Sequence, residues 1–412
     1  MSDSAPVVMR THSTLLLVYA LGAFSTVLNI TMLSPLLVPI ADEFGRSEAR
    51  VGQLSSITAA FAFGTALVIA PLLDRYPRRL WMRWQVGLVG VAAILTAVAG
   101  SFAVLIAARA LAGVGGAIII ALCYASAADN FPVAKQRNRV VGMIASAATL
   151  GSIVGLPVVT LLEAALGWRW AVLLIVPFSV VVFVGAGQLR ESPRPGYVTG
   201  VTVWARRYRQ VLSHRAVASL LGVMIVILVT RFGWFLYFGA YAEHALQASA
   251  STLGLAFAAG GVAHLLGSNA APLLLVRYSP RKIAAAAAGM MALDLLSVGM
   301  YSDQAWAMFP FITVFSASWA MCLVSSSILL LDTASTMRNT VTALQSAAME
   351  IGVGAGAAIG GGLLSAFDSY ERSFRSLAVL VPVVLLLLVV SAPGREREAR
   401  GELPVPAHGP SA

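Results

Sequence analysis

Five ionisable side chains stand inside long apolar stretches of this 412-residue chain: Arg109, Arg231, His264, Asp294 and Glu350. At about 1.5 Å per helical residue, they lie ~10, ~21, ~20, ~17 and ~15 Å from the first residue of their stretches. A charge near mid-bilayer costs ~3 kcal/mol or more unless a partner, a cavity or a change of protonation relieves it. Such residues therefore point to chemistry. A low-dielectric site favours the neutral form of an acid, whereas a nearby arginine favours its carboxylate, so an acid whose access changes can load and release a proton. Glu350 is read as the leading proton carrier, with Asp294 and His264 as alternatives. Arg231 either pairs with one of the acids or meets an anionic solute.

The elements that hold these charges follow from composition. Only 11% of residues are charged and 58% are hydrophobic, and the mean hydropathy is +0.83. Twelve apolar windows, from 14–40 to 374–392, are each long enough to cross ~30 Å of hydrocarbon as a helix. The alternation of barrel strands is absent. The net charge of +10 is not a nucleic-acid footprint. With both termini placed in the cytoplasm, 21 of the 28 Lys and Arg fall in cytoplasmic segments and five on the opposite side, the positive-inside asymmetry. Cys123 and Cys322 fall inside spans, so neither a disulfide nor a zinc site is expected. No P-loop pattern occurs, so ATP is not the expected energy source, and no cofactor or metal is expected.

A repeat organises the windows. "APLLDRYPRR" (70–79) recurs as "APLLLVRYSPRK" (271–282), and "RNRVVGMIASAATLGSIVG" (137–155) aligns with "RNTVTALQSAAMEIGVGAG" (338–356), both at an offset of 201. Six spans fit the offset, so both halves enter the membrane from the same side, a parallel duplication. The charges do not repeat: Arg231 maps to Ile30, Glu350 to Thr149 and Asp294 to Ala93. The expected organisation is an N-terminal six-helix bundle (1–189), a basic cytoplasmic linker (190–215), a C-terminal six-helix bundle (216–392) and a disordered tail (393–412).

These residues carry a family resemblance. "APLLDRYPRR" is similar to the G-x-x-x-D-R-x-G-R-R loop of major facilitator superfamily transporters, with Asp74, Arg75, Arg78 and Arg79 matching. "LIAARALAGVGGA" (105–117) resembles the family's fourth-helix motif through Arg109 and Gly113. "GSIVGLPVVTLLEAALGWRW" (151–170) is similar to the fifth helix of proton-driven antiporters, nearer the sugar- and nucleoside-efflux branch. The resemblance implies an all-α integral membrane fold of two six-helix bundles, no enzymatic activity, and alternating access. It places Asp74 against the N-terminus of helix 11, where a carboxylate is favoured, as a cytoplasmic latch with Arg75 and Arg79; Arg78 and Arg79 meet lipid headgroups. It gives Arg109 a role linking proton state to helix movement, and it lines a cavity with helices 1, 4, 7 and 10. Candidate substrate contacts are then Ser25 and Asn29 on helix 1, Trp234, Tyr237 and Phe238 on helix 7, and Trp319 on helix 10; Tyr241 is assigned to the lipid belt.

The resulting expectation is a proton-coupled exporter of small neutral or amphipathic drugs or metabolites, sugar- or nucleoside-like. It works as a monomer in the cytoplasmic (inner) membrane, with protons, the solute and the lipid bilayer as its partners. The alternative is organic-anion uptake or exchange through Arg109 and Arg231. A membrane sensor or lipid-modifying enzyme is the third reading.

Overall fold

A computed structural model of the chain describes residues 4–69, 76–189, 201–300, 304–333 and 338–392. In lipid each backbone polar group must be satisfied within its own segment, and apolar runs of this length do so as helices. The order is α1 (Ser4–Thr31), α2 (Glu48–Ile69), α3 (Arg78–Ala97), α4 (Phe102–Asn130), α5 (Lys135–Leu166), α6 (Trp168–Gln188), α7 (Arg215–His244), α8 (Ala250–Leu274), α9 (Pro280–Ser297), α10 (Ala305–Thr333), α11 (Arg338–Phe367) and α12 (Tyr370–Val390). Eleven helices are long and apolar enough to cross a membrane. The remaining one, α9, has 18 residues and carries Arg281, Lys282 and Asp294 among them; its place in the repeat makes it the twelfth. Within the expected linker, a helix at Val201–Leu212 packs on α7 and α11. The expected tail lies outside the described residues.

The repeat offset is visible in three dimensions. After α1 the chain turns and resumes helix at Leu37–Phe44, while α7 is interrupted after Phe235 and resumes at Phe238–His244. Between these breaks the Ser34 hydroxyl donates to the Phe235 carbonyl at 2.7 Å, a pair separated by 201 residues. A contact between a residue and its own repeat equivalent maps onto itself when the halves are exchanged, so this bond marks the pseudo-two-fold axis.

Other breaks are satisfied by neighbours. Where α4 is interrupted at Ala117–Ile118, Gln85 of α3 donates to the Val114 carbonyl (3.0 Å) and accepts from the Ile118 amide (3.3 Å), which is how broken backbone survives at membrane depth. In α5 one wide π-helical turn, Gly151–Gly155, precedes Pro157, which cannot donate a backbone bond. Close helix approach through glycine is tight at Gly360: a Cβ there would stand 2.1 Å from the Gly233 carbonyl oxygen of α7.

The two halves touch along α2–α11 and α5–α8, which the duplication makes the same contact twice. Gly254 and Gly261 of α8 lie against Pro157 and Ile153 of α5, and Gly354 of α11 lies against Ser56 and Ala59 of α2. At the same end, the Glu43 carboxylate accepts from the Trp168 indole (2.7 Å) and from Arg169, whose guanidinium also reaches the Ala99 carbonyl (3.0 Å). The Arg169 hydrogen bond holds Glu43 below its ordinary carboxylate range. A depressed folded value means that this stabilisation is present at neutral pH and is lost as pH falls through that value. The pair is more than a third exposed, so it contributes under ~1 kcal/mol. Glu43→Gln is expected to melt slightly earlier than wild type at neutral pH, with the gap closing under more acidic conditions; a gap that widens on acidification would contradict this.

Candidate functional site

The two arginines at depth are handled differently. In the first half Arg109 is 3% exposed, and its guanidinium donates to the Asn29 carbonyl (3.2 Å) and to Asn29 Oδ1 (3.5 Å). One turn along, a Cβ at Gly113 would meet the Thr58 carbonyl at 2.1 Å, and the Thr58 hydroxyl donates to the Arg109 carbonyl at 3.1 Å. Arg109 is thus built into the α1–α2–α4 junction, and Asn29 spends its acceptors on it.

In the second half Arg231 is 8% exposed and sits among rings. Its guanidinium carbon is 4.0 Å from the centroid of Phe235, 4.9 Å from Trp319 and 5.8 Å from Trp234. Desolvated cation–π contacts of this kind contribute about 2 kcal/mol, which offsets much of the burial cost. The Trp319 ring also stands 5.1 Å from His264. The expected pairing of Arg231 with Glu350 or Asp294 does not occur: among the described residues no carboxylate reaches ion-pair distance of it. The reason is placement. Arg231 points into the aromatic group between α7 and α10, Asp294 is buried in α9 beside α10 and α12, and Glu350 belongs to the inter-half face of α11.

That face is defined by Gly354, four residues and one turn from Glu350 and so on the same side of the helix. The Ser56 hydroxyl of α2 donates to the Gly354 carbonyl at 2.9 Å. Glu350 is half-buried, one turn beneath this inter-half bond, and no partner holds it among the described residues. Asp294 is buried, with one carboxylate oxygen also without a partner.

The aromatic stripe on helix 7 divides differently from its spacing. Trp234 and Phe238 are fully buried in a ring cluster with Phe311 and Phe315 of α10 and Phe257 of α8; they are core. Tyr237 instead crosses between the halves. Its hydroxyl donates to the Ala357 carbonyl at 2.9 Å, and its ring occupies the room left by Gly52 of α2 and Gly361 of α11. Tyr241, expected in the lipid belt, is buried against Tyr370 and Phe374. Ser25 and Thr26 both donate to the Gly22 carbonyl of their own helix.

Asp74 and Arg75 lie outside the described residues, as do the side chains of Arg338 and Asn339 at the start of α11. Arg79 is exposed in the first turn of α3. Its neighbour Arg78, expected at lipid headgroups, instead pairs with Asp129 at the end of α4 at 2.5 Å.

A clasp that the sequence reading did not single out closes the end opposite the termini. Glu48, the first residue of α2, accepts from the Tyr370 hydroxyl of α12 and stands 3.0 Å from His244 Nε2 at the end of α7. Each is an ordinary surface residue by type; only the fold brings them together. Removing such hydrogen bonds costs about 0.5–1.5 kcal/mol. Glu48→Gln combined with Tyr370→Phe is therefore expected to lower disulfide trapping of cysteine pairs across the α2–α11 seam severalfold. Unchanged trapping would leave the clasp without a role in closure.

The Major Facilitator Superfamily model matches residues 19–230 and 223–410, nearly the whole chain. The chain belongs to the Major Facilitator Superfamily. This member is 30% identical over 187 residues to the multidrug resistance protein Stp of Mycobacterium tuberculosis (strain CDC 1551 / Oshkosh), covering 44% of this chain and 34% of that one. It is also 30% identical over 203 residues to a chloramphenicol resistance protein of Streptomyces lividans, covering 47% and 50%. The matched segment thus spans a third to a half of these relatives. The fold is similar to a solved D-xylose-proton symporter, with a TM-score of 0.73 at 17% identity over 92% of this chain and 97% of that one. As a member of this superfamily, with eleven helices long and apolar enough to cross a membrane among its described residues, the protein is a multi-pass membrane protein.

Proposed function

We propose that the protein is a proton-coupled exporter of small amphipathic drugs or metabolites in the cytoplasmic membrane, acting as a monomer with both termini inside. The observation that supports it most is Glu350: an acid without a partner among the described residues, one turn beneath the α2–α11 seam, where motion of the halves changes its access to water. The structure is closed at the end away from the termini, which under the positive-inside orientation is the external end, so it is read as facing inward. Solute enters from the cytoplasm; the halves rock about the Ser34–Phe235 point, and Glu350 takes an external proton after the solute leaves. Arg109, fixed to Asn29, carries the first half as a rigid unit, while Asp74, Arg75 and Arg79 latch the opposite end. The 190–215 segment links the two bundles. The names of the relatives above, resistance proteins both, favour export over uptake.

Everted vesicles bearing the protein, with chloramphenicol and ethidium as probes, test the reading. An imposed inside-acid gradient should drive accumulation of at least one probe, and an uncoupler should abolish it. Accumulation that survives the uncoupler would remove proton coupling.

A further inference from the structure

We infer that Arg231, Trp319 and His264 form a recognition subsite for a flat aromatic solute carrying a carboxylate. The inference rests on the transporter reading above and names the chemical class that one part of its path selects.

The ring contacts of Arg231 leave its hydrogen-bonding capacity open. A guanidinium is planar and presents its N–H donors in that plane, while aromatic rings stack on its faces. Phe235 and Trp319 stand at 4.0 and 4.9 Å from its carbon, and its Nη1 is buried without a hydrogen-bond partner. An in-plane edge of paired donors matches a carboxylate, which accepts two parallel bonds.

The surroundings supply donors to match. Trp319 Nε1 is buried and unpartnered, and so is His264 Nδ1; an indole nitrogen only donates. Three helices, α7, α8 and α10, thus aim unsatisfied polar atoms into one aromatic group. No protein carboxylate reaches Arg231 among the described residues. Arg109 shows a contrast: equally buried, it donates through both terminal nitrogens to Asn29 and leaves only its Nε without a partner. The duplication places Ile30 at the position equivalent to Arg231, so the scaffold does not require a cation here. The Trp319 and His264 rings, tilted 31° with centroids 5.1 Å apart, extend a wall over which the solute's own ring can lie. Arg231 is also one helical turn from Phe235, whose carbonyl marks the meeting point of the halves.

The test is equilibrium binding to the purified protein in nanodiscs at neutral pH, read by tryptophan quenching and thermal shift. The probes are 2-naphthoate, its neutral isostere 2-naphthamide, and 2-naphthylmethylammonium. The naphthoate is expected to bind about tenfold more tightly than the amide, and the ammonium most weakly, as paired charge-assisted bonds would give. Arg231→Gln should reduce that preference to about twofold or less, while Arg372→Gln, at an exposed arginine, should retain it. Equal binding of naphthoate and naphthamide to the wild type overturns the subsite, and this comparison needs no variant to fold. A preference that persists in Arg231→Gln overturns it as well. Neither measurement uses a gradient. Naphthoate preference without proton-driven transport would therefore sink the exporter reading alone, and proton-driven drug export without the preference would sink the subsite alone.

Discussion

Glu350→Gln is expected to abolish proton-driven accumulation while leaving solute binding and exchange down a gradient intact. The substitution keeps the size and hydrogen-bonding capacity of the side chain and removes only its titration. Each proton moved down one pH unit supplies about 1.4 kcal/mol, a tenfold concentration ratio per proton. The expected accumulation ratio in the variant is therefore one, against tenfold or more for the wild type across one unit. Glu350 carries this expectation because its face of α11 meets α2 one turn away, at the Ser56–Gly354 bond, so separation of the halves must change its surroundings. Asp294 is the control. It is buried in a helix that packs on α10 and α12 of its own half, and Asp294→Asn should alter expression or melting more than coupling. Uphill transport that survives in Glu350→Gln and fails in Asp294→Asn would reverse the assignment.

Gly52→Val is expected to drive the transporter out of the closed arrangement seen here. A Cβ at residue 52 would lie 2.1 Å from the Tyr237 hydroxyl and 2.6 Å from the ring carbon that bears it. A Cβ at Gly361 would lie 2.5 Å from the same oxygen, so the Tyr237 hydroxyl has α11 close to it as well as α2. Relief requires separation of α2 from α11, or expulsion of Tyr237 with loss of its bond to Ala357. Overpacking of this kind costs about 1–3 kcal/mol, enough to shift the ratio of the two arrangements by about fivefold to a hundredfold. Spin labels across the end opposite the termini should report a longer distance in Gly52→Val, with Tyr237→Phe giving a smaller change in the same direction. An unchanged distance would mean that the slot is not what holds this end shut.

Much of the architecture was legible before any coordinates. The apolar windows imply helices because lipid leaves the backbone no other partner, and the offset of 201 reappears as the Ser34–Phe235 bond. The site was legible only in part. A buried charge announces itself by its cost, so Arg109, Arg231, Asp294 and Glu350 could be picked out. What each faces could not, because that depends on helix rotation. The stripe Trp234–Tyr237–Phe238–Tyr241 assumes one continuous helix, yet α7 is interrupted between Phe235 and Phe238. Across that turn the three-and-four spacing no longer marks one face, which is why Trp234 and Phe238 are core while Tyr237 bridges the halves. Glu48, His244 and Tyr370 were invisible for another reason: exposed polar residues at helix ends are common, and only their meeting across the halves gives them a role. Arg78 points to headgroups by sequence for a similar reason, because a loop's basic residues fit headgroups and an ion pair equally well, and only the fold brings it to Asp129.

Proton movement coupled to solute movement is the claim on which the rest depends. The direct measurement is the internal pH of proteoliposomes loaded with a pH-sensitive dye, without an imposed proton gradient, after a transported solute is added on one side. The account predicts a solute-dependent pH change, opposite in direction to the solute flux, that disappears in Glu350→Gln although solute exchange continues. Solute flux through the wild-type protein with no accompanying pH change would contradict it.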